Sequence, residues 1–150
     1  MYWTGRQGII GKVGMDGSNP TIIKGGSSET NIIQIDFQRG RLYWASLDNN
    51  IIESSNLNGG DLQTIHQLSE GPWGLTILGE RLYGGYWFSS TVQSSNIHTG
   101  ADVRVEHVGS ARTAHLTVPI WNPPGNRTNN CEGIVCSGVC VLTPTFYKCL

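Results

Sequence analysis

The sequence predicts an all-β fold built from about three repeats of a four-stranded propeller blade. Short motifs recur about every forty residues, apolar and polar residues alternate as in half-buried strands, and no long stretch has the 3.6-residue period of a helix. The 150 residues include 20 glycines and only 14% charged residues, against about 25% charged in an average domain. Four antiparallel strands per repeat of this length are typical of a β-propeller blade.

The repeat is carried by an aromatic motif on the second strand of each unit. The motif begins at Tyr2, Tyr43 and Tyr83, which are 41 and 40 residues apart. A second pair of segments, 53–56 and 93–96, has nearly the same sequence and the same 40-residue spacing. A two-sheet sandwich is the weaker alternative, since sandwiches do not require repeated sequence at a fixed period.

The alternation pattern and the turn residues place the strands in order. The middle repeat is predicted to have strands at 31–37, 41–45, 51–56 and 62–66, and the next repeat at 72–78, 81–86, 91–96 and 102–106. The first repeat starts at its second strand, and a last inner strand is predicted at 114–120. Only two blades are complete by this count, whereas a closed propeller has four or more.

Composition argues against several classes of function. The formal net charge is −1, so neither a nucleic-acid-binding surface nor a basic membrane-binding surface is expected. No apolar run approaches the roughly 18 residues of a membrane span. Met1 to Gly5 do not resemble a secretion leader, yet the crowded cysteines are typical of extracellular modules. We therefore expect a piece of a longer secreted or membrane-anchored protein.

The aromatic motif resembles the YWTD β-propeller of the low-density lipoprotein receptor family. Its matches are Tyr2, Trp3 and Thr4 in the first copy, Tyr43 and Trp44 in the second, and Tyr83 in the third. The resemblance covers residues 1–120 and implies part of a six-bladed propeller, followed in that family by an epidermal-growth-factor-like (EGF-like) module. We therefore expect propeller repeats over 1–120, the C-terminal half of a propeller, then a linker over 121–130 and a truncated EGF-like module over 131–150.

The motif is incomplete in every copy. Its final Asp is replaced by Gly5, Ser46 and Tyr86, and the third copy has Gly84 in place of Trp. Either Tyr86 and Trp87 fill the space left by that Trp, or the third blade is looser. Three repeats also leave open sheet edges, so the rest of a parent propeller is the expected neighbour, with a second copy of this chain as the alternative.

Four cysteines lie close together after the repeats. Cys131, Cys136, Cys140 and Cys149 allow three disulfide pairings by spacing alone. Resemblance to the EGF-like module implies the pairs 131–140 and 136–149. A zinc site is the weaker alternative because no Cys-x2-Cys is present and His115 is the nearest histidine, sixteen residues upstream. No metal or cofactor is expected, including calcium, and Asn126 begins a glycosylation sequon.

No catalytic constellation is evident, so an enzyme is not expected. The acidic residues are scattered singly, and the sequence has no nucleophile elbow, phosphate-binding loop or metal-binding helix motif. Because some propellers are metal-dependent hydrolases with ligands on inner strands, Asp36 is the acid to check. A solvated or turn-capping role is the more favoured interpretation of Asp36.

Strand order predicts which loops share one side of the molecule. Loops from strand two to strand three, and from strand four to the next strand one, emerge on the same side. That side is expected to present a protein-binding surface, with packing of the two tryptophans between blades as an equal alternative; its residues are Arg6, Asp48, Asn49, Trp73, Trp87 and Phe88. The histidines at 66, 98, 107 and 115 are spread along the chain, which favours solvated positions over a pH-sensing cluster.

These expectations combine into one functional hypothesis. The resemblance implies an extracellular, non-catalytic fragment of a receptor related to the low-density lipoprotein receptor, binding protein ligands for uptake or signalling, of which a Wnt co-receptor is one type. Any membrane attachment is expected from segments outside this chain. A secreted matrix protein of the nidogen type is the first alternative, and a metal-dependent propeller hydrolase is the second.

Overall fold

A computed structural model of the chain describes residues 1–26, 28–109, 116, 140–142 and 147–149. The described residues form three antiparallel sheets, followed by one separate strand pair. No helix in these ranges is long and apolar enough to cross a membrane.

Each of the three sheets follows the chain in order, so neighbouring strands are joined by turns or short loops. Sheet 1 contains β1 (Tyr2–Gly5), β2 (Ile9–Lys12) and β3 (Thr21–Lys24), with a short 3-10 turn at Arg6–Gly8. Sheet 2 contains β4 (Thr30–Asp36), β5 (Arg41–Ser46), β6 (Ile51–Asn56) and β7 (Gln63–Gln67). Sheet 3 contains β8 (Gly74–Leu78), β9 (Arg81–Tyr86), β10 (Thr91–Asn96) and β11 (Arg104–Val108). The last pair is β12 (Cys140–Leu142) with β13 (Tyr147–Cys149).

The predicted blade pattern is confirmed. Sheets 2 and 3 have four strands each and sheet 1 lacks an inner strand, as expected from the sequence. Six strands match the prediction to within one residue at each end, namely β4 to β7, β9 and β10, while β8 and β11 each start two residues later than predicted. The inner strand predicted at 114–120 lies outside the described residues, apart from Leu116.

The last strand of each of the three sheets, β3, β7 and β11, is its outer strand. Each outer strand has a β-bulge at the equivalent position of its pairing with the strand before it. The register shifts between Ile10 and Gly11 in sheet 1, between Ile52 and Glu53 in sheet 2, and between Val92 and Gln93 in sheet 3. A bulge inserts one residue and locally increases twist. Because the bulges coincide, the outer-strand residues opposite Ile10, Ile52 and Val92 are equivalent; they are Lys24, His66 and His107.

Sheet 2 is packed on both faces, which places the core between sheets. Alternation along β5 sends Leu42 and Trp44 into a cluster with Ile10 of sheet 1, while Tyr43 joins Leu75 and Leu82 of sheet 3. The two apolar clusters are therefore two joints, one between sheets 1 and 2 and one between sheets 2 and 3. Tyr2 adds a polar link to the first joint, because its hydroxyl donates to the Leu57 carbonyl at 3.2 Å.

A buried polar contact completes the joint between sheets 1 and 2. Glu53 Oε2 accepts hydrogen bonds from Lys24 Nζ at 2.8 Å, Trp44 Nε1 at 2.9 Å and Ser46 Oγ at 3.1 Å. Lys24 Nζ also lies 5.1 Å from the centre of the Trp44 ring. Burial alone would raise the pKa of Glu53, but the bonds from Lys24 and Trp44 outweigh it and hold that pKa below its ordinary value.

In sheets 2 and 3, an arginine at the start of the second strand binds the third strand and the turn that precedes the outer strand. Arg41 binds Ser54 Oγ and the Asp61 side chain and carbonyl, with Nη2–Oγ and Nη1–Oδ2 distances of 2.8 and 2.5 Å. Arg81 makes the same set of bonds to Ser94 and Asp102, both at 2.7 Å. The acidic residues Asp61 and Asp102, which look isolated in the sequence, are thus parts of a repeated structural contact.

The space left by the missing motif tryptophan is filled by Tyr86. A Cβ built on Gly84 would lie 3.0 Å from Tyr86 Cε2 and from its hydroxyl oxygen, so the tyrosine ring lies directly against this glycine. Burial, with the nearby charge of Glu70, raises the pKa of Tyr86 to about 12. Of the two expectations for the third blade, refilling is therefore confirmed for Tyr86, whereas the Trp87 ring packs against Trp73.

Truncating this ring should leave a cavity in the joint between sheets 2 and 3. We expect Tyr86→Ala to lower the free energy of unfolding by about 3–5 kcal/mol, the range for truncating a buried large aromatic side chain. Phe88→Ala is the matched control, since Phe88 is 79% exposed and should change stability by no more than about 0.5 kcal/mol. Equal losses in chemical denaturation of the two variants would contradict the filling role of Tyr86.

Candidate functional site

The loops predicted to share one side do meet there. Leu68 N donates to the Asn50 carbonyl at 2.7 Å, which joins the loop after β7 to the loop after β5. Glu29 N donates to Asp48 Oδ2 at 2.8 Å, which brings the segment before β4 to the same place. These contacts define the loop-bearing side of sheet 2.

A cleft of about 380 Å³ opens on this side at the boundary between sheets 2 and 3. One wall comes from the loop after β5 and the segment before β4, and the other comes from the loops before β8 and after β9. The lining residues are Glu29, Leu47, Asp48, Asn50, Ser69, Glu70, Gly71, Trp73 and Phe88. The lining therefore combines three carboxylates with two aromatic side chains, and it contains no Lys, Arg or His.

The aromatic wall is partly fixed by a contact between tryptophans. The Trp73 and Trp87 rings lie 5.6 Å apart between centroids and are tilted by 39°, a separation typical of favourable aromatic pairs. Both residues belong to the sheet 3 region, so this contact lies within one blade rather than between blades. Trp73 remains 39% exposed beside it.

Glu70 organises the loop that carries Phe88. Its carboxylate accepts hydrogen bonds from Phe88 N at 2.8 Å and Ser89 N at 3.2 Å. Two backbone amides of the loop after β9 are thereby held by a side chain from the loop between β7 and β8. Phe88 consequently projects from an anchored backbone while its ring stays exposed.

The remaining predicted surface residues lie outside the cleft lining. Arg6 begins the turn between β1 and β2, the corresponding loop of sheet 1. Asn49 is exposed, and its carbonyl accepts a bond from Gln67 Nε2 at 3.1 Å. Of the six predicted residues, the structure brings Asp48, Trp73 and Phe88 together in the cleft, with Trp87 behind Trp73. Glu29 and Glu70 were missed by sequence reasoning, although both lie in loops from strand four to the next strand one, which strand order places on this side.

The opposite side carries a polar chain centred on Arg39. Asp36 accepts bonds from Arg39 N at 3.0 Å and from Arg39 Nη1 at 2.5 Å, so it caps the turn after β4. Arg39 also pairs with Glu80, whose other oxygen lies 3.0 Å from His98 Nε2. The bond with His98, together with the charge of Arg39, lowers the pKa of Glu80.

This chain of contacts decides the interpretation of Asp36. The turn-capping role is confirmed, and within the described ranges no group of three His, Cys, Asp or Glu residues is arranged to hold a metal. His66, His98 and His107 lie on three different elements and form no cluster in that part of the chain, and His115 falls outside it.

Comparisons with known proteins agree with this architecture. No family model matches the chain. The vitellogenin receptor of Solenopsis invicta is 30% identical over 148 residues, which is 95% of this chain and 8% of that protein. Low-density lipoprotein receptor-related protein 5 of mouse and of human is 32% identical over 98 residues, which is 65% of this chain and 6% of each relative. The chain is related to the low-density lipoprotein receptor family.

A solved structure shows the same fold. A chain in a crystal structure of a nidogen/laminin complex matches with a TM-score of 0.68 at 21% identity, over 76% of this chain and 46% of that chain. The sheets described above are therefore a partial β-propeller of the YWTD type. The chain spans less than a tenth of the curated relatives and less than half of the solved one.

The Glu70 contact yields a testable prediction about the cleft. Without the carboxylate, two loop amides lose their acceptor at a cost of about 1–2 kcal/mol. We expect Glu70→Ala to increase hydrogen exchange at Phe88 and Ser89 by about tenfold, measured by NMR or mass spectrometry.

Glu29→Ala provides the matched control for that variant. Glu29 lines the same cleft, but only its backbone takes part in the bonds described above, so exchange at Phe88 and Ser89 should stay unchanged. Unchanged exchange in Glu70→Ala as well would show that the carboxylate does not hold the loop.

Proposed function

We propose that this chain is part of an extracellular receptor of the low-density lipoprotein receptor family, acting as a non-catalytic scaffold whose cleft-bearing side binds protein. The observation that carries the proposal is the cleft between sheets 2 and 3, with Trp73 and Phe88 exposed on an anchored wall. Exposed aromatic side chains held by a rigid frame are typical of residues that dominate protein–protein interfaces. Extracellular protein ligands are therefore the proposed partners.

The matched proteins suggest two kinds of ligand. One relative is named a vitellogenin receptor, and the matched solved structure is a nidogen/laminin complex. A receptor role is favoured because the identity with the vitellogenin receptor extends over nearly the whole chain. A secreted matrix role of the nidogen type is the second candidate, supported by the similarity of fold.

Binding measurements with both probes test the proposal. The chain, immobilised on a biosensor, is exposed to purified vitellogenin and, separately, to laminin. We expect vitellogenin binding that weakens about tenfold or more in Trp73→Ala and in Phe88→Ala, because truncating a central aromatic removes a large share of interface energy. Binding of laminin alone would favour the matrix role.

The chain offers a matched control for the aromatic variants. Phe37 is also an exposed aromatic residue, at 67%, but it follows β4 at the opposite end of sheet 2 from the cleft. Phe37→Ala should bind vitellogenin as the unaltered chain does. Equal weakening in all three variants, or no weakening in any, would contradict a binding surface at the cleft.

We further propose that the propeller repeats end near residue 120 and that a linker over 121–130 leads to an EGF-like module over 131–150. The separate pair β12 and β13, in which Cys140 lies opposite Cys149, supports a second small module. The proposed disulfides are Cys131–Cys140 and Cys136–Cys149, and the linker would carry a glycan on Asn126. A cross-strand bond between Cys140 and Cys149 is the alternative that this register suggests.

Peptide mapping of the secreted chain without reduction distinguishes these pairings. We expect peptides joined as 131–140 and 136–149, and a mass loss at the Asn126 peptide after enzymatic deglycosylation. A peptide pair joining Cys140 to Cys149 would overturn the proposed pairing. The glycan proposal fails separately if the Asn126 peptide has its unmodified mass before treatment.

A further inference from the structure

The two joints between sheets share one geometry but differ in charge. In the joint between sheets 1 and 2, Lys24 forms an ion pair with Glu53. Glu53 of β6 lies directly opposite Trp44 of β5. In the joint between sheets 2 and 3, the residue equivalent to Lys24 is His66, because both lie opposite the isoleucine that precedes the bulge. The partners equivalent to Trp44 and Glu53 are Gly84 and Gln93. A cation and an anion have thus been replaced by a histidine and an amide.

His66 faces sheet 3 across a small gap. The gap is lined by His66 and Ile52 on one side and chiefly by Leu82, Tyr86 and Gln93 on the other. The turn after β10 closes over the histidine, since a Cβ on Gly100 would lie 2.9 Å from His66 Cβ. The imidazole is therefore partly buried between the two sheets.

The residues that line the gap include no charged group to balance a protonated His66. Its other titratable lining residue is Tyr86, whose pKa of about 12 keeps the phenol neutral. The carboxylates on nearby elements are engaged elsewhere. Glu53 binds Lys24, Asp102 binds Arg81 and Arg104, Glu106 accepts a bond from Ser94, and Glu70 holds the two loop amides described above.

We propose that His66 makes the joint between sheets 2 and 3 an acid-sensitive part of this chain, because protonation places an unpaired charge between two packed sheets. The inference is independent of ligand binding at the cleft. It rests on the partly buried position of His66 between the sheets and on the uncharged Gln93 at the place where the preceding joint has Glu53.

Burial lowers the pKa of His66 below its ordinary value of 6.5, which fixes the sign of the pH effect. As the pH falls through about 6.5, the unfolded chain takes up a proton at this residue before the folded chain does. Stability therefore decreases with acidification in this range, and the decrease ends once the folded form is protonated as well.

The test introduces a carboxylate at position 93, where the preceding joint has Glu53. Thermal unfolding of the unaltered chain, His66→Gln, Gln93→Glu and the double variant is measured at pH 7.5 and pH 5.5. His107→Gln is the matched control, because His107 holds the equivalent register position in sheet 3 but is exposed.

We expect acidification to lower the melting temperature of the unaltered chain by about 2–4 °C more than that of His66→Gln. In Gln93→Glu the protonated histidine gains a partner like that of Lys24, so this extra loss should disappear or reverse, but only while His66 is present. His107→Gln should behave as the unaltered chain does.

Two results would overturn the proposal. One is an equal effect of acid on the unaltered chain and on His66→Gln, and the other is an unchanged effect of acid in Gln93→Glu. Should a variant fail to fold, NMR titration of the unaltered chain gives an independent decision. A His66 imidazole that titrates at or above about 6.5 would likewise overturn the proposal.

Discussion

The fold depends on the burial of the second strand of each sheet against the sheet before it. Trp44 is 1% exposed because sheet 1 covers it, whereas Trp3, at the equivalent position of sheet 1, is 38% exposed. A four-stranded sheet alone buries little apolar area. The stability of each unit therefore comes from its neighbours, as in other repeat architectures.

The two joints are built from different side chains, but in each the space is filled and buried charge is balanced. In the first joint an indole, a carboxylate and an ammonium group satisfy one another. In the second joint the indole is absent, and Tyr86 reaches back over Gly84 to occupy the space. The second joint has Gln93 and His66 where the first joint has Glu53 and Lys24. Because both charged groups are replaced together, neither joint is left with an unpaired buried charge at neutral pH.

Local sequence rules predict the strands and the loop-bearing side well. Alternation and turn residues locate β5, β6 and β9, and strand order alone brings Asp48, Trp73 and Phe88 to one side. Contacts between sheets are harder to predict, because the partner of Glu53 is Lys24, 29 residues away and in another sheet. The same holds for Glu70, whose role as an acceptor for the loop at Phe88 depends on how two loops meet in space.

Native-state hydrogen exchange tests most directly whether neighbouring sheets stabilise one another. Amides of β5 in sheet 2 and of β9 in sheet 3 are followed as denaturant is added below the unfolding transition. If the sheets depend on shared joints, the amides of both strands will converge on one opening free energy. Separate opening of β9, with β5 unaffected, would show that each sheet is stable without its neighbour and would contradict the account.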